Sequence, residues 1–111
     1  MDIRQVDENV SVAGQLTPAE MRMVAEQGFR SIIGNRPDGE EPGQPAWAEL
    51  EAAAQDAGLQ TRFIPIANAQ DLDARKDDFA SALQDMPGPV LAFCRTGTRS
   101  GMLYDAARGA G

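Results

Sequence analysis

Residues 89–100, Pro89-Val90-Leu91-Ala92-Phe93-Cys94-Arg95-Thr96-Gly97-Thr98-Arg99-Ser100, run from an apolar stretch directly into a polar, Gly-containing loop that holds the chain's single cysteine. Val90–Phe93, entered through the break Pro87-Gly88-Pro89, reads as a short buried strand. A continuous apolar run of this length belongs to a parallel sheet covered on both faces. Beyond the loop, a helix is expected to begin near Arg99 or Ser100 and to turn Met102, Leu103, Ala106 and Ala107 toward the sheet. Cys94 therefore stands at a strand–loop–helix junction, where unpaired N–H groups and the positive end of a helix dipole converge. Such a setting lowers a thiol from ~8.5 to ~7 or below, with Arg95 and Arg99 as neighbouring cations. The plain alternative is a small apolar plug at the end of a core strand. Cys94 is both the last apolar residue and the first of the Gly-Thr-Arg loop, which points to chemistry.

Outward from this loop, the chain alternates strands and helices. Residues 3–6 and 10–13 predict a hairpin turned by Asp7, Glu8 and Asn9. Thr17-Pro18-Ala19-Glu20 is a capping box with Pro at the first helical position, and Gly28 closes that helix. Phe29–Gly34 predicts a strand, Asn35–Gln44 a Pro/Gly/acidic loop long enough to be functional, and Pro45–Ala57 a helix stopped by Gly58. Trp47, Leu50 and Ala54 lie at helical spacing, so Trp47 is assigned to the core. A strand at Thr61–Ile66, a polar loop over Asn68–Asp73 and a helix through about Leu83 complete the order. The expectation is a single α/β domain over residues 1–111, in three layers, with a mainly parallel sheet flanked by helices. Ligands of such sheets bind at the carboxyl ends of the strands, where Arg36, the Asn68–Asp73 loop and the Cys94 loop all emerge.

Bulk properties narrow the chemistry. Asp and Glu number 17 against 10 Lys and Arg, a net charge of −7, which disfavours nucleic acid and anionic lipid as partners and makes the cations at the loop a local feature. Histidine is absent, which removes Ser-His-Asp and Cys-His catalysis and every histidine metal site; one cysteine cannot build a thiolate zinc cage. No metal and no cofactor are expected. With no possible internal disulfide and no basic leader followed by an apolar stretch, the cytoplasm is the expected compartment; the oligomeric state is not legible.

Several segments together resemble one known family. Val12-Ala13-Gly14-Gln15-Leu16-Thr17, Ser31-Ile32-Ile33-Gly34-Asn35-Arg36-Pro37-Asp38-Gly39-Glu40, Ile64-Pro65-Ile66 and residues 89–100 look like the beta-lactamase-hydrolase-like, phosphatase-like domain family, over nearly the whole chain. The resemblance implies a dual-specificity protein tyrosine phosphatase-like fold and a cysteine nucleophile in an anion-binding loop. The loop departs from tyrosine phosphatases, which place five residues between cysteine and arginine; here four separate Cys94 from Arg99. That spacing, followed by Ser, is similar to the active loop of rhodanese sulfurtransferases.

Because a shorter loop makes a smaller cradle, suited to one sulfur atom, the expected activity is sulfur transfer. Cys94 would carry a persulfide and pass it to a thiol acceptor. Arg95 at the entrance would attract an anionic donor, and the resemblance suggests thiosulfate or a glutathione persulfide. The alternative is a phosphatase in which Cys94 attacks a phosphate monoester, Arg99 clamps the phosphoryl oxygens and Asp71 or Asp73 protonates the leaving oxygen. Both aspartates read first as caps of the following helix, because Asp is a preferred cap and the segment precedes an amphipathic run. A further alternative is a redox-sensing or binding module, for which no resolving cysteine exists. In each case Gly97 is expected at positive φ or in close approach to ligand, and Thr96, Thr98 and Ser100 as hydroxyl donors or turn and cap residues. Arg36 either lines the anion site or pairs with Asp38, Glu40 or Glu41 at the surface.

Overall fold

The structure, a computed structural model, describes residues 1–110. In chain order the elements are β1 (Ile3–Gln5), β2 (Val10–Ala13), α1 (Met21–Glu26), β3 (Ser31–Gly34), α2 (Trp47–Asp56), β4 (Gln60–Phe63), α3 (Ala69–Asp85), β5 (Val90–Phe93) and α4 (Thr98–Ala110). The sheet order is β1-β2-β5-β3-β4, with β1 antiparallel to β2 and all other pairs parallel. This is the expected three-layer α/β domain. Successive side chains of a strand face opposite ways, so the central strand serves two cores. Val90 and Ala92 of β5 pack with Phe79, Leu103 and Ala107 beneath α3 and α4, whereas Leu91 and Phe93 pack with Val24, Leu50 and Trp47 beneath α1 and α2.

Register is what builds the site. Phe93 lies opposite Ala13 on one side and Gly34 on the other, and Gly34 lies opposite Phe63. The four parallel strands therefore end level, and Gly14, Cys94, Asn35 and Ile64 are the first residues past the sheet, in a row. Gly34 is a packing requirement at this edge: a Cβ there would come within 2.6 Å of Trp47 Cζ3, and Trp47 stacks on Phe63 at 5.1 Å between ring centroids.

Differences from the expected boundaries have local causes. The first helix opens with a 3₁₀ turn over Pro18–Glu20 before α1, with the Thr17 N–H donating to Glu20 Oε1 at 2.8 Å. α2 begins at Trp47 rather than Pro45, because the Asp38 carboxylate accepts the Trp47 N–H at 2.8 Å and caps it there. β4 stops at Phe63 rather than Ile66: β3 has ended and Pro65 has no N–H to pair, so the Ile66 N–H donates to the Asn35 carbonyl instead, at 2.9 Å. α3 runs two residues past Leu83, and α4 begins at Thr98, which puts Arg99 in its first turn.

Candidate active site

Cys94 is completely buried, at 0 % exposure, at the floor of the loop that joins β5 to α4. Its own N–H donates to the Ala13 carbonyl at 3.2 Å, the last tie to β2. Gly97 then turns the chain back with φ +91°, and its N–H donates to Cys94 Sγ at 3.1 Å. The positive φ is the expected reason for glycine here, and a Cβ would lie in ordinary contact with the Ala13 carbonyl carbon, at 3.4 Å. Burial pushes the Cys94 thiol up, but the N–H of Ser100, the N–H of Thr96, the Ser100 hydroxyl and the Gly97 N–H together outweigh it, and the net shift is downward. Neutral donors thus do the work usually given to a histidine.

The cations around the loop are not free. Arg99 Nη1 donates to Glu40 Oε2 and to the Ile66 carbonyl, each at 2.8 Å, while Nη2 donates to Glu40 Oε1 at 2.8 Å. These bonds use three of the five guanidinium N–H groups, leaving Nε–H and one Nη2–H as a fork on the other edge. Glu40 holds the Arg99 guanidinium more firmly protonated; burial opposes this, and the nearby Cys94 adds to it. Glu40 in turn is held ionised by its bond from Arg99, against burial and with help from Arg36, and its carboxyl is lowered to about 2.

Arg36 resolves its two expected roles. It is 6 % exposed and donates from Nε to Glu40 Oε1 at 2.9 Å, from Nη2 to Glu41 Oε1 at 2.8 Å and from Nη1 to Gln15 Oε1 at 3.0 Å. The pairing with Glu40 and Glu41 is therefore present, but as a buried tie rather than at the surface, and Asp38 is spent on capping α2. Arg95 stands exposed at the rim, its Nε 2.7 Å from Glu41 Oε1.

The remaining expected residues divide. Thr96 and Thr98 bond each other, hydroxyl to hydroxyl at 3.1 Å, in an exposed turn. Ser100 is buried in the first turn of α4 and donates from Oγ to Asn35 Oδ1 at 2.9 Å. Asp71 sits in the first turn of α3: its N–H donates to Asn68 Oδ1 and its Oδ2 accepts the Ala67 N–H, both at 2.9 Å. Asn68 is the cap of the helix, and the Asp71 carboxylate holds Ala67, the residue after the Ile66 whose carbonyl accepts from Arg99. Asp73 pairs with Lys76 at 2.9 Å on the exposed face of α3. Sequence reasoning missed Glu40 as the brace of Arg99, Gln15, Asn35 and the Ile66 carbonyl. Among the described residues, no group of three or more Cys, Asp or Glu side chains is gathered as a metal site, and no helix is long and apolar enough to cross a membrane.

The family described as beta-lactamase hydrolase-like protein, phosphatase-like domain matches residues 2–110. The chain belongs to this family. Beta-lactamase hydrolase-like protein of Agrobacterium fabrum is 40% identical over 100 residues, which cover 90% of this chain and 23% of that protein, so the chain spans about a quarter of the length of the curated relatives it matches. A candidate phosphatase of Neisseria meningitidis of known crystal structure superposes with a TM-score of 0.85 and 34% identity, over 99% of this chain and 78% of that one. Tk-PTP in its active form shares the fold, with a TM-score of 0.59 and 17% identity over 96% of this chain and 80% of that one.

Membership of this phosphatase-like family overturns the expected sulfur transfer. The match runs through Cys94 and Arg99, so the four-residue spacing lies inside a phosphatase-like domain and is no mark of a rhodanese. The expected sulfurtransferase activity, with its persulfide, its thiosulfate or glutathione persulfide donor and its thiol acceptor, is corrected accordingly. The physical error was to measure the cradle by the loop alone. Arg99 is set by Glu40 and the Ile66 carbonyl, which reach it from two other connections.

Proposed function

We propose that this domain hydrolyses phosphate monoesters with Cys94 as nucleophile. The observation that carries the reading is the buried Cys94 sulfur, held by loop amides beside the braced Arg99 fork. The Cys94 thiolate attacks phosphorus and forms the S–P bond as the ester P–O bond breaks. Arg99 donates its two remaining N–H groups to the non-bridging oxygens, and the loop amides of residues 95–99 supply further donors. Glu40, ionised and engaged by two guanidiniums, has no proton to give. The leaving oxygen takes its proton from Asp71, beside the Ile66 segment, once its bond from the Ala67 N–H is released. Water then attacks phosphocysteine, releasing inorganic phosphate and the thiolate and returning the proton to Asp71. Arg95, Thr96, Thr98 and the Arg36 tie shape the mouth.

The test is hydrolysis of an aryl phosphate with intact-mass detection of a phosphoryl group trapped on the protein after rapid acid quench. Wild type should turn over and carry the group on Cys94, and Cys94→Ser should do neither while keeping its circular dichroism. Turnover by Cys94→Ser equal to wild type would refute the assignment of the nucleophile.

A further inference from the structure

The connection from β3 to α2 is folded around one side chain, and it delivers a carboxylate to the rim of the site at a fixed place. Gln44 Oε1 accepts the N–H of Glu40 at 3.0 Å and the N–H of Glu41 at 3.3 Å, while Gln44 Nε2 donates to the Pro37 carbonyl at 2.8 Å. The loop over residues 37–44 thus closes on itself. The Glu41 side chain is held as well. Its Oε1 accepts from Arg36 Nη2 at 2.8 Å, and Arg36 is buried and tied in turn to Gln15 and Glu40. The same oxygen lies 2.7 Å from Arg95 Nε. An acid at a protein surface ordinarily keeps its rotamer freedom and gains little from a passing cation. Glu41 differs because one of its two partners is anchored inside the molecule. The other, Arg95, is the residue next to Cys94 and stands exposed at the rim.

Sulfur attacks from the floor of the loop, and in-line displacement puts the ester oxygen on the far side of phosphorus. The leaving group therefore points outward, past the rim where Arg95 and Glu41 stand. We propose that Glu41 is a specificity-determining residue: by occupying Arg95, it selects phosphate monoesters whose leaving group is uncharged near the ester oxygen over those that carry a second anion there. Without Glu41, Arg95 would offer a charge-assisted bond to a second phosphate or carboxylate. With it, such a group must first part the pair. Displaced from Arg95, Glu41 does not leave, because Arg36 and Gln44 keep hold of it, and two negative charges then share the mouth. An uncharged leaving group meets neither penalty. Both partners of the pair are substantially exposed, so the effect is a preference of a few-fold rather than an absolute gate.

The inference rests on the phosphate-monoester reading of the same site, and its test reads binding of two non-hydrolysable analogues, phenylphosphonate and 3-carboxyphenylphosphonate. Calorimetric titration gives the ratio of their affinities for wild type, Glu41→Gln and the double variant Glu41→Gln/Arg95→Gln. Glutamine keeps an acceptor for Arg36 and removes only the charge. Wild type should bind the carboxylate-bearing probe no more tightly than the plain one. Glu41→Gln should shift the ratio about threefold to fivefold toward the carboxylate-bearing probe, and the double variant should lose that shift. A merely structural Glu41 would weaken both probes alike and leave the ratio unmoved. Wild-type preference for the carboxylate-bearing probe by fivefold or more, an unchanged ratio in Glu41→Gln, or a shift that persists without Arg95 overturns the inference alone. Failure of wild type to bind either probe overturns the monoester reading and the inference with it. The wild-type comparison needs no substitution, so it decides even where circular dichroism shows Glu41→Gln unfolded.

Discussion

Replacing Glu40 by glutamine should destabilise the domain at neutral pH and cease to do so in acid. Glu40 Oε1 accepts from both Arg36 and Arg99, and Oε2 from Arg99, at 2.8 to 2.9 Å. Its carboxyl is lowered from 4.5 to about 2 on folding. At about 1.4 kcal/mol per pH unit the shift sets a ceiling of roughly 3.4 kcal/mol. The side chain is a quarter exposed, and solvent screening brings the expected loss to about 1–2 kcal/mol. Because the folded value lies below the unfolded one, the carboxylate's contribution is full above pH 4.5 and is lost as pH falls from there through 2. For a chain of 111 residues the loss corresponds to a melting temperature lower by roughly 4–8 °C at pH 7. Thermal melts of wild type and Glu40→Gln at pH 7, 4 and 2.5 measure it: the gap should persist at pH 4 and narrow sharply at pH 2.5. Equal melting at pH 7, or a gap that stays constant down to pH 2.5, would refute the view that an ionised Glu40 braces the two arginines.

Arg99→Lys should lower kcat/KM for an aryl phosphate by about 100-fold or more, since an ammonium cannot accept the end-on grip of Glu40 and still present a second pair of parallel donors; steady-state kinetics at pH 6–7 would show it. Gly34→Ala should cost about 1–3 kcal/mol in urea unfolding, because its Cβ would stand 2.6 Å from the Trp47 ring, which is itself fixed against Phe63 and Phe93.

Much of the fold was legible because its signals are local. Val90–Phe93 carries its apolar run and its proline–glycine boundary within a few residues, and Gly28 and Gly58 mark helix ends at positive φ without reference to the rest of the chain. The floor of the site was legible for the same reason: Cys94, Gly97 and the start of α4 lie within five residues of one another. Its walls were not. Glu40 stands 59 residues from Arg99, and Asn35 stands 65 from Ser100. In sequence Glu40 belongs to an acidic, Pro/Gly-rich loop of the kind that usually faces solvent, and Asn35 is an ordinary residue after a strand. Only the level ending of β2, β5, β3 and β4 carries them to the cysteine, and that depends on a register no local pattern encodes.

The same distance in sequence explains why loop length misdirected the functional reading. Counting residues between Cys94 and Arg99 treats the loop as the whole receptor, yet its arginine is aimed by a carboxylate from the β3–α2 connection and a carbonyl from the exit of β4. The acids also alter the charge that a ligand meets. Arg36, Arg95 and Arg99 bring three positive charges to the mouth and Glu40 and Glu41 two negative ones, a balance of one, which the Cys94 thiolate cancels. A phosphate monoester approaching the proposed site is therefore drawn by no strong net field. Its binding rests on fitted donors: the loop amides, and an Arg99 fork whose direction Glu40 has already fixed, so that the entropy of placing it is spent on folding rather than at the moment of binding. Discrimination then follows shape and hydrogen-bond geometry more than total negative charge, the arrangement suited to a domain whose surface as a whole, at −7, repels anions.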